Sequence, residues 1–199
     1  MKKSAAGRPV GTTGQAQVLT DAELRKVLRV AQAASFHAER NVALLVMSNY
    51  LGLRAKELAA LKIADVFENG EVKKVLRLVA AYTKGSKHRD LSLENKTVIK
   101  ALNDYLAVRT DSNPALFLSQ KKSHFTPNTI ARLLITLYQN AGFNDASSHT
   151  GRRSLITKLA YAGTDLNSVR QIAGHSNLTT TQRYIQDNPL FIANILKNI

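Results

Sequence analysis

One stretch of this chain, Ile63 to Leu93, has β-strand character, and segments with helical periodicity flank it on both sides. Aliphatic residues concentrate between Val72 and Val79, and Asn69-Gly70 before them is a dipeptide typical of tight hairpin turns. A second turn over residues 82–87 lets Arg89 to Leu93 return as a strand. The sequence therefore predicts a mainly α fold with a small antiparallel β-sheet of two or three strands, in the α+β class.

Capping signals mark several of the flanking helices. Thr20 and Glu23 have the spacing of a capping box, and apolar residues follow them at helical intervals. Helices are also expected over Glu39 to Tyr50 and over Glu94 to Arg109, and Thr126-Pro127 opens another. A chain of 199 residues with this pattern is expected to form one domain with a substantial core.

Arg54 is expected at the start of a helix, directly after Gly52 has ended the preceding one. A cation at a helix N-terminus opposes the helix dipole, so this placement is tolerated more readily where an anion binds. The alternative is that Arg54 is an ordinary solvated charge in the first turn.

The excess of basic residues is the main compositional clue to a partner. Lys and Arg number 28 against 14 acidic residues, a formal charge of +14. This favours nucleic acid or an anionic membrane surface as partner, and the alternative is a basic protein with no polyanion partner. No cysteine is present, which excludes disulfides, thiolate chemistry and Cys-ligated zinc. There is no signal-peptide pattern, and the longest apolar run, Val42 to Met47, is too short to span a bilayer, so a soluble, cytoplasmic protein is expected.

Four residues suited to phosphate chemistry lie in the last third of the chain: His149, Arg152, His175 and Tyr184. Arginine grips an anion through two N–H groups, histidine donates to its oxygens, and a phenol can attack phosphorus. His149 and Arg152 stand three apart at a helix start, where backbone N–H groups can add to a phosphate cradle. None of the four is a carboxylate, which argues against a metal site. Taken singly, His175 and Tyr184 are each more often structural residues.

Glycine and helix-capping residues in this last third predict a series of short packed helices. Gly163 ends one helix, Asp165 caps the next, and Gly174 ends that one directly before His175. Asn177 can cap a further helix, which places Tyr184 about two turns inside it.

Five motifs together resemble the catalytic domain of the tyrosine recombinases, the phage-integrase family. They are G-L-R-A-K-E-L from Gly52, T-K-G-S-K-H-R from Thr83, H-T-G-R from His149, A-G-H-S from Ala173, and Tyr184 nine residues after the A-G-H-S histidine. They run from about residue 20 to residue 184 in the family's order and at similar spacings. The resemblance implies the tyrosine-recombinase catalytic-domain fold over residues 19–187.

The resemblance also implies six catalytic residues: Arg54, Lys84, His149, Arg152, His175 and Tyr184. The two arginines would clamp the non-bridging oxygens of the scissile phosphate, and the lysine would protonate the departing 5′ oxygen. The first histidine would act in proton transfer with the nucleophile, and the second would hydrogen-bond the phosphate. The tyrosine would attack phosphorus to give a 3′-phosphotyrosyl link. No cofactor and no metal is implied.

Further residues accompany this set. Glu57 and Asp65 stand where the family places acidic residues, and Glu57 is expected to support Arg54. Arg153 stands where the family commonly has histidine, which affects the expected packing and not the phosphate clamp.

Six basic residues are candidate DNA contacts outside the catalytic set: Arg8, Lys87, His88, Arg89, Lys121 and Lys122. The first lies in Gly7-Arg8-Pro9, which resembles the core of an AT-hook. The next three lie near the tip of a hairpin that could enter a DNA groove, and the last two lie in a basic loop. The alternative for each is a solvated surface charge.

The expected organisation has three parts. Residues 1–18 form a flexible basic tail, residues 19–187 the catalytic domain, and residues 188–199 a C-terminal segment that docks on a neighbouring protomer. Most family members carry an N-terminal helical domain that closes around DNA, whereas about nineteen residues precede Thr20 here. The chain is therefore expected to be an isolated catalytic domain or a naturally short recombinase like the fimbrial phase-variation invertases, and the short form is favoured.

Three functions are compatible with these residues. The first is site-specific recombination (integration, excision or inversion) on double-stranded DNA. A homo-tetramer would bring two DNA sites together, and the protein free in solution would be a monomer. Accessory proteins are further expected partners. The second is a type IB topoisomerase-like enzyme that relaxes supercoils by the same chemistry. The third is a DNA-binding protein that has lost catalysis.

Overall fold

A computed structural model describes residues 16–34, 36–79 and 88–186, with the backbone alone for residues 183–186. In those ranges the chain forms helices α1 (Asp21–Gln32), α2 (Ala38–Tyr50), α3 (Ala55–Ala60), α4 (Ile63–Val66), α5 (Lys96–Ala107), α6 (Pro127–Asn140), α7 (Thr150–Tyr161), α8 (Leu166–Ala173) and α9 (Leu178–Gln186), and strands β1 (Phe67–Glu68), β2 (Glu71–Val72), β3 (Val75–Leu78) and β4 (Arg89–Ser92). The predicted mainly helical α+β class is confirmed.

The helix boundaries follow from the capping residues. Thr20 and Glu23 form the predicted capping box, because each side chain accepts a hydrogen bond from the other's backbone N–H. The helix predicted from residue 94 begins later, at residue 96, because the Asn95 side chain caps it by accepting from the N–H of Thr97. Thr126 caps α6 in the same way, with Pro127 at the first position as predicted.

The strands form two separate antiparallel pairs, β1 with β2 and β3 with β4, where the sequence suggested one sheet. Asn69 and Gly70 make the predicted tight turn of the first pair, with φ of 52° and 84°. After β2 the chain leaves this ladder, and the Lys74 carbonyl accepts from the N–H of Leu93 instead. β3 is thereby registered on β4, with Leu76 opposite Leu91.

Helix α2 is the centre of the molecule and packs against α1, α5 and α7. Residues 43–47 of this helix are at most 1% exposed, so it is buried on all sides and not along one stripe. Burying each large aliphatic side chain contributes about 1.5–3 kcal/mol to folding, which makes α2 the main anchor for the helices around it.

A second, small hydrophobic cluster holds α7 to α8. It consists of Ile156, Val169 and Ala173, with Leu159 packed against it. Helices α7 to α9 are therefore attached to the main core largely through the packing of α7 on α2.

The chain segment that leads into α1 is tied to α7. Leu19 is buried, and its backbone N–H donates to the Ser154 hydroxyl at 2.8 Å. Lys158 pairs with Asp21 at 2.8 Å on the surface beside it. None of the helices in the described ranges has the length and apolar content that crossing a bilayer requires.

Candidate active site

Four of the predicted catalytic residues meet where the start of α3, the start of α7 and the α8–α9 corner come together. Arg54 is the N-cap residue of α3, His149 is the N-cap residue of α7, and Arg152 lies in the first turn of α7. His175 follows Gly174, which ends α8. Arg152 donates to the Ala173 carbonyl and Arg54 to the Gly174 carbonyl, so both guanidinium groups lie beside the segment that leads into His175.

Arg152 is buried, at 5% exposure, and joins the surrounding elements. Its Nη1 donates to the Gly52 carbonyl at 2.8 Å, and its Nη2 donates to the Ala173 carbonyl. Gly52 has φ of 63°, a left-handed conformation that favours glycine and that ends α2 with its carbonyl facing this guanidinium. Arg152 is thus fixed in position by two backbone carbonyl groups.

Arg54 is held by Glu57, which is fully buried. The carboxylate accepts from the Arg54 backbone N–H at 2.8 Å and from Arg54 Nη1 at 2.9 Å. Burial would raise the pKa of Glu57, but hydrogen bonds and charges from Arg89 and Arg54 outweigh it, and the net pKa is lowered. The carboxylate therefore stays ionised, and Glu57 lies where a supporting role for Arg54 requires it.

His175 is neutral at physiological pH and has a defined orientation. Burial, then the charges of Arg152, Arg54 and Arg89, lower its pKa to about 4. Its Nδ1 lies 3.0 Å from the buried Thr181 hydroxyl. When Thr181 donates to Nδ1, the proton resides on Nε2, and that nitrogen can donate to a phosphate oxygen.

His149 is exposed at the surface, but partial desolvation and then the charges of Arg152 and Arg54 still lower its pKa, which favours the neutral imidazole. A neutral imidazole beside two guanidinium groups can accept a proton from a nucleophile. An anion bound between the arginines would offset their effect and favour protonation of both histidines.

The sequence predicted that backbone N–H groups at the start of α7 help to bind a phosphate, and the structure does not support this for the first two of them. The His149 N–H donates to the Ser147 hydroxyl and the Thr150 N–H to the Ser147 carbonyl. These two amides already have protein partners, so they are not available to a bound anion.

Gly151 is the glycine of the H-T-G-R motif, and its role is close packing. A Cβ at this position would lie 2.7 Å from Ser48 Oγ and 2.8 Å from Asn49 Nδ2. Only glycine allows α7 to approach α2 this closely, which sets the position of the residues on either side of it.

The predicted nucleophile, Tyr184, lies in α9, nine residues after His175. Asn177 caps this helix as predicted, by accepting from the Thr179 N–H at 3.0 Å. The Tyr184 side chain is outside the described part of the structure, as are Lys84 and the candidate DNA contacts Arg8 and Lys87. Their roles stay predictions.

The remaining candidate DNA contacts differ in exposure. His88, Lys121 and Lys122 are exposed, the two lysines in a surface turn closed by the Leu118–His124 bridge. Arg89 was expected to be a solvent-exposed charge near a hairpin tip. Its side chain is instead 8% exposed and pairs with Glu57 at 2.8 Å. No sequence signal linked the two, since they are 32 residues apart and in different elements.

A basic cavity of about 750 Å³ opens beside the cluster. Its lining includes His175 and five further charged or titratable residues, namely Arg77, His88, Arg89, Asp90 and Arg170. Within the described ranges, no three acidic, histidine or cysteine side chains are grouped as a metal site would require.

The helical domain, its two hairpins and this arginine–histidine cluster define an integrase-type catalytic domain. Residues 17–190 match the phage integrase family, and the chain belongs to that family, whose members break and rejoin DNA strands. This confirms the family assigned from the five motifs.

Curated relatives include tyrosine recombinase XerC of Myxococcus xanthus, which is 34% identical over 180 residues, and tyrosine recombinase XerA of Pyrococcus horikoshii, which is 32% identical over 170 residues. The matches cover 85% and 83% of this chain but 58% and 55% of those proteins. The chain thus spans little more than half the length of these relatives.

Solved structures give the same result. A XerA recombinase superposes with a TM-score of 0.75 at 26% identity, covering 91% of this chain and 64% of that one. The XerH recombinase bound to its difH substrate before cleavage superposes with a TM-score of 0.67 at 26% identity, covering 84% and 49%.

Proposed function

We propose that this chain is a site-specific recombinase that cuts and rejoins double-stranded DNA through a covalent 3′-phosphotyrosyl intermediate. The observation that carries the proposal is the convergence of two arginines, Arg54 and Arg152, with two neutral histidines, His149 and His175. Such a cluster supplies positive charge and proton donors to a phosphodiester, whose reaction gains mainly from these.

In the proposed reaction, the two arginines bind the non-bridging oxygens of the scissile phosphate. The Tyr184 oxygen attacks phosphorus, and the phenolic proton passes to His149. The bond from phosphorus to the 5′ oxygen breaks, and Lys84 protonates that oxygen. His175 donates a hydrogen bond from Nε2 to the phosphate. The phosphotyrosyl bond conserves the energy of the broken bond, so a 5′-hydroxyl can attack it and rejoin the strands without ATP.

A DNA substrate nicked next to the cleavage site tests this reaction, because loss of the short fragment traps the covalent adduct. Wild type should give an adduct that migrates with protein on a denaturing gel, and Tyr184→Phe should give none. An adduct that persists in Tyr184→Phe would show that another residue is the nucleophile. No adduct from wild type would favour the alternative of a DNA-binding protein without catalysis.

The acting form is proposed to be a homo-tetramer on two DNA sites, in the cytoplasm, with accessory proteins as additional partners and a monomer free in solution. Residues 19–187 would form the catalytic unit, and residues 188–199 would dock on the next protomer. The type IB topoisomerase-like alternative predicts relaxation of supercoiled DNA of any sequence by a monomer. Relaxation that depends on one DNA sequence would favour the recombinase.

A further inference from the structure

Arg89 takes the larger share of the buried Glu57 carboxylate. Its Nη1 donates to Oε1 at 2.9 Å and its Nη2 to Oε2 at 2.8 Å, a two-pronged pair. Arg54 contacts the same two oxygens, but with one guanidinium nitrogen and its own backbone N–H. Two arginines therefore share one carboxylate in unequal ways.

The two arginine side chains also differ in how far they are exposed to solvent. The Arg54 side chain is 25% exposed, whereas that of Arg89 is 8% exposed. Within residues 16–34, 36–79 and 88–182, the other terminal nitrogen of Arg54 donates only to the Gly174 carbonyl, at 3.3 Å. Because Arg89 compensates the Glu57 charge, Arg54 keeps N–H groups that an anion can bind.

A second contact fixes Arg89 in this position. β4 packs against α8, and a Cβ at Gly174 would lie 3.1 Å from Arg89 Cδ and 3.2 Å from Cζ. The guanidinium thus lies directly against the residue that precedes His175. Arg89 connects β4, α3 and the α8–α9 corner at one point.

We propose that Arg89 is a positioning residue: it holds Glu57 so that Arg54 stays available to the scissile phosphate. This inference rests on the proposed strand-cleavage function. Without Arg89, the buried carboxylate would have Arg54 as its remaining partner and would draw the guanidinium into a two-pronged pair, away from the phosphate.

The test is a double-mutant cycle on the rate of adduct formation with the nicked substrate. Arg89→Gln should slow adduct formation by about 10- to 100-fold, the size expected for loss of a charge-assisted hydrogen bond in the transition state. In an Arg54→Ala background, the same change should cost less than about threefold, because the residue it positions is gone. DNA affinity should change little in comparison.

Two variants keep the test decisive if Arg89→Gln folds poorly. Glu57→Gln together with Arg89→Gln removes the buried charge pair, so it should fold and recover the rate at least about tenfold over Arg89→Gln alone. Arg109→Gln is the matched control, since Arg109 is also a buried guanidinium paired with a carboxylate, that of Asp111, but lies outside the cavity. It should lower the melting temperature and leave the adduct rate of the folded protein unchanged.

The outcomes separate the two proposals. Wild type without an adduct contradicts the function itself. With an active wild type, an Arg89→Gln rate equal to wild type overturns the positioning role. A loss of the same size in the wild-type and Arg54→Ala backgrounds overturns it too, because Arg89 would then act independently of Arg54.

Discussion

Gly151 lies where α7 crosses α2, and its missing side chain determines how closely the two helices approach. Alanine there is a better helix former by about 1 kcal/mol, but its Cβ would collide with two polar side chains of α2. Overpacking of this kind typically costs about 1–3 kcal/mol, which is expected to exceed the gain in helix propensity.

Gly151→Ala should therefore lower the free energy of unfolding by up to about 2 kcal/mol and slow adduct formation, because α7 carries His149 and Arg152. Urea unfolding and the nicked-substrate assay measure the two effects. Adding Ser48→Ala removes the nearest obstructing atom and should restore part of the stability. A variant as stable and active as wild type would show that the helices separate without cost.

The lowered pKa of His175 makes the stability of the protein depend on pH. The unfolded chain binds a proton near pH 6.5, whereas the folded protein binds it near pH 4, so the unfolded state holds more protons between these values. Stability is therefore fully present above about pH 6.5 and is lost as the pH falls toward 4.

Unfolding measured in urea from pH 7 to pH 4 should show a loss on the order of 3 kcal/mol that His175 contributes. His175→Gln should be less stable at pH 7, where it loses the Thr181 contact, and should have a flatter pH curve. Equal slopes for the two proteins would contradict the assigned pKa. Binding of a nicked DNA at pH 6 should be accompanied by proton uptake, since the phosphate favours the charged imidazole.

At the scale of secondary-structure elements, the ends of the helices could be predicted from the sequence more fully than the register of the strands. Thr20, Asn95 and Thr126 cap their helices through bonds to residues two or three positions away, which the sequence displays directly. The sequence predicted that residues 89–93 return as a strand, but not the residue-by-residue register of β4 on β3. The bond from Leu19 to Ser154 joins distant segments and follows from the packing alone.

In the candidate active site, too, local motifs could be predicted from the sequence and a contact between distant residues could not. The motifs predicted four residues that the structure brings together, whereas the buried link from Arg89 to Glu57 was not visible in any local pattern. Hairpin charges are usually solvated, so the sequence offered no reason to turn this one inward.

The small size of the cluster that joins α7 to α8 predicts uneven local stability. Ile156, Val169 and Ala173 bury little apolar area compared with the core around α2, so α8 should open more readily. Amide hydrogen exchange should be faster in α8 than in α2.

Val169→Ala should raise exchange in α8 by more than in α2, because it weakens the small cluster and leaves the main core intact. Leu44→Ala is the control, since this fully buried residue of α2 belongs to the main core. It should raise exchange throughout the domain. Equal effects of Val169→Ala on both helices would show that the domain unfolds as one unit.

At the scale of the whole molecule, the formal charge of +14 predicts DNA binding that depends steeply on salt. If about six phosphates are contacted, affinity should fall by about 10³-fold between roughly 50 and 200 mM salt. Fluorescence anisotropy with a labelled duplex measures the slope. A flat response would contradict a role of these charges in phosphate contact.

Lys121→Gln with Lys122→Gln should reduce that slope by up to about 2 if both exposed lysines contact phosphates. Lys100→Gln is the matched control, because this exposed lysine already pairs with Asp104 on α5. An unchanged slope in the double variant would remove the surface turn from the DNA interface.

Assembly is tested by ending the chain after residue 187. The shortened protein should still form the covalent adduct on one DNA site but should fail to bring two sites together. Sedimentation of protein–DNA complexes distinguishes the two states. Tetramers formed without residues 188–199 would show that another surface joins the protomers.

The bond from Leu19 to Ser154 has a practical consequence for protein engineering. Ser154 is two residues beyond Arg152 on α7, so Leu19 is attached directly to the helix that carries this arginine. A zinc-finger array or other programmable reader fused ahead of residue 16 would have its linker fixed at that point, and the length of the linker would set how far from the cut the reader can bind.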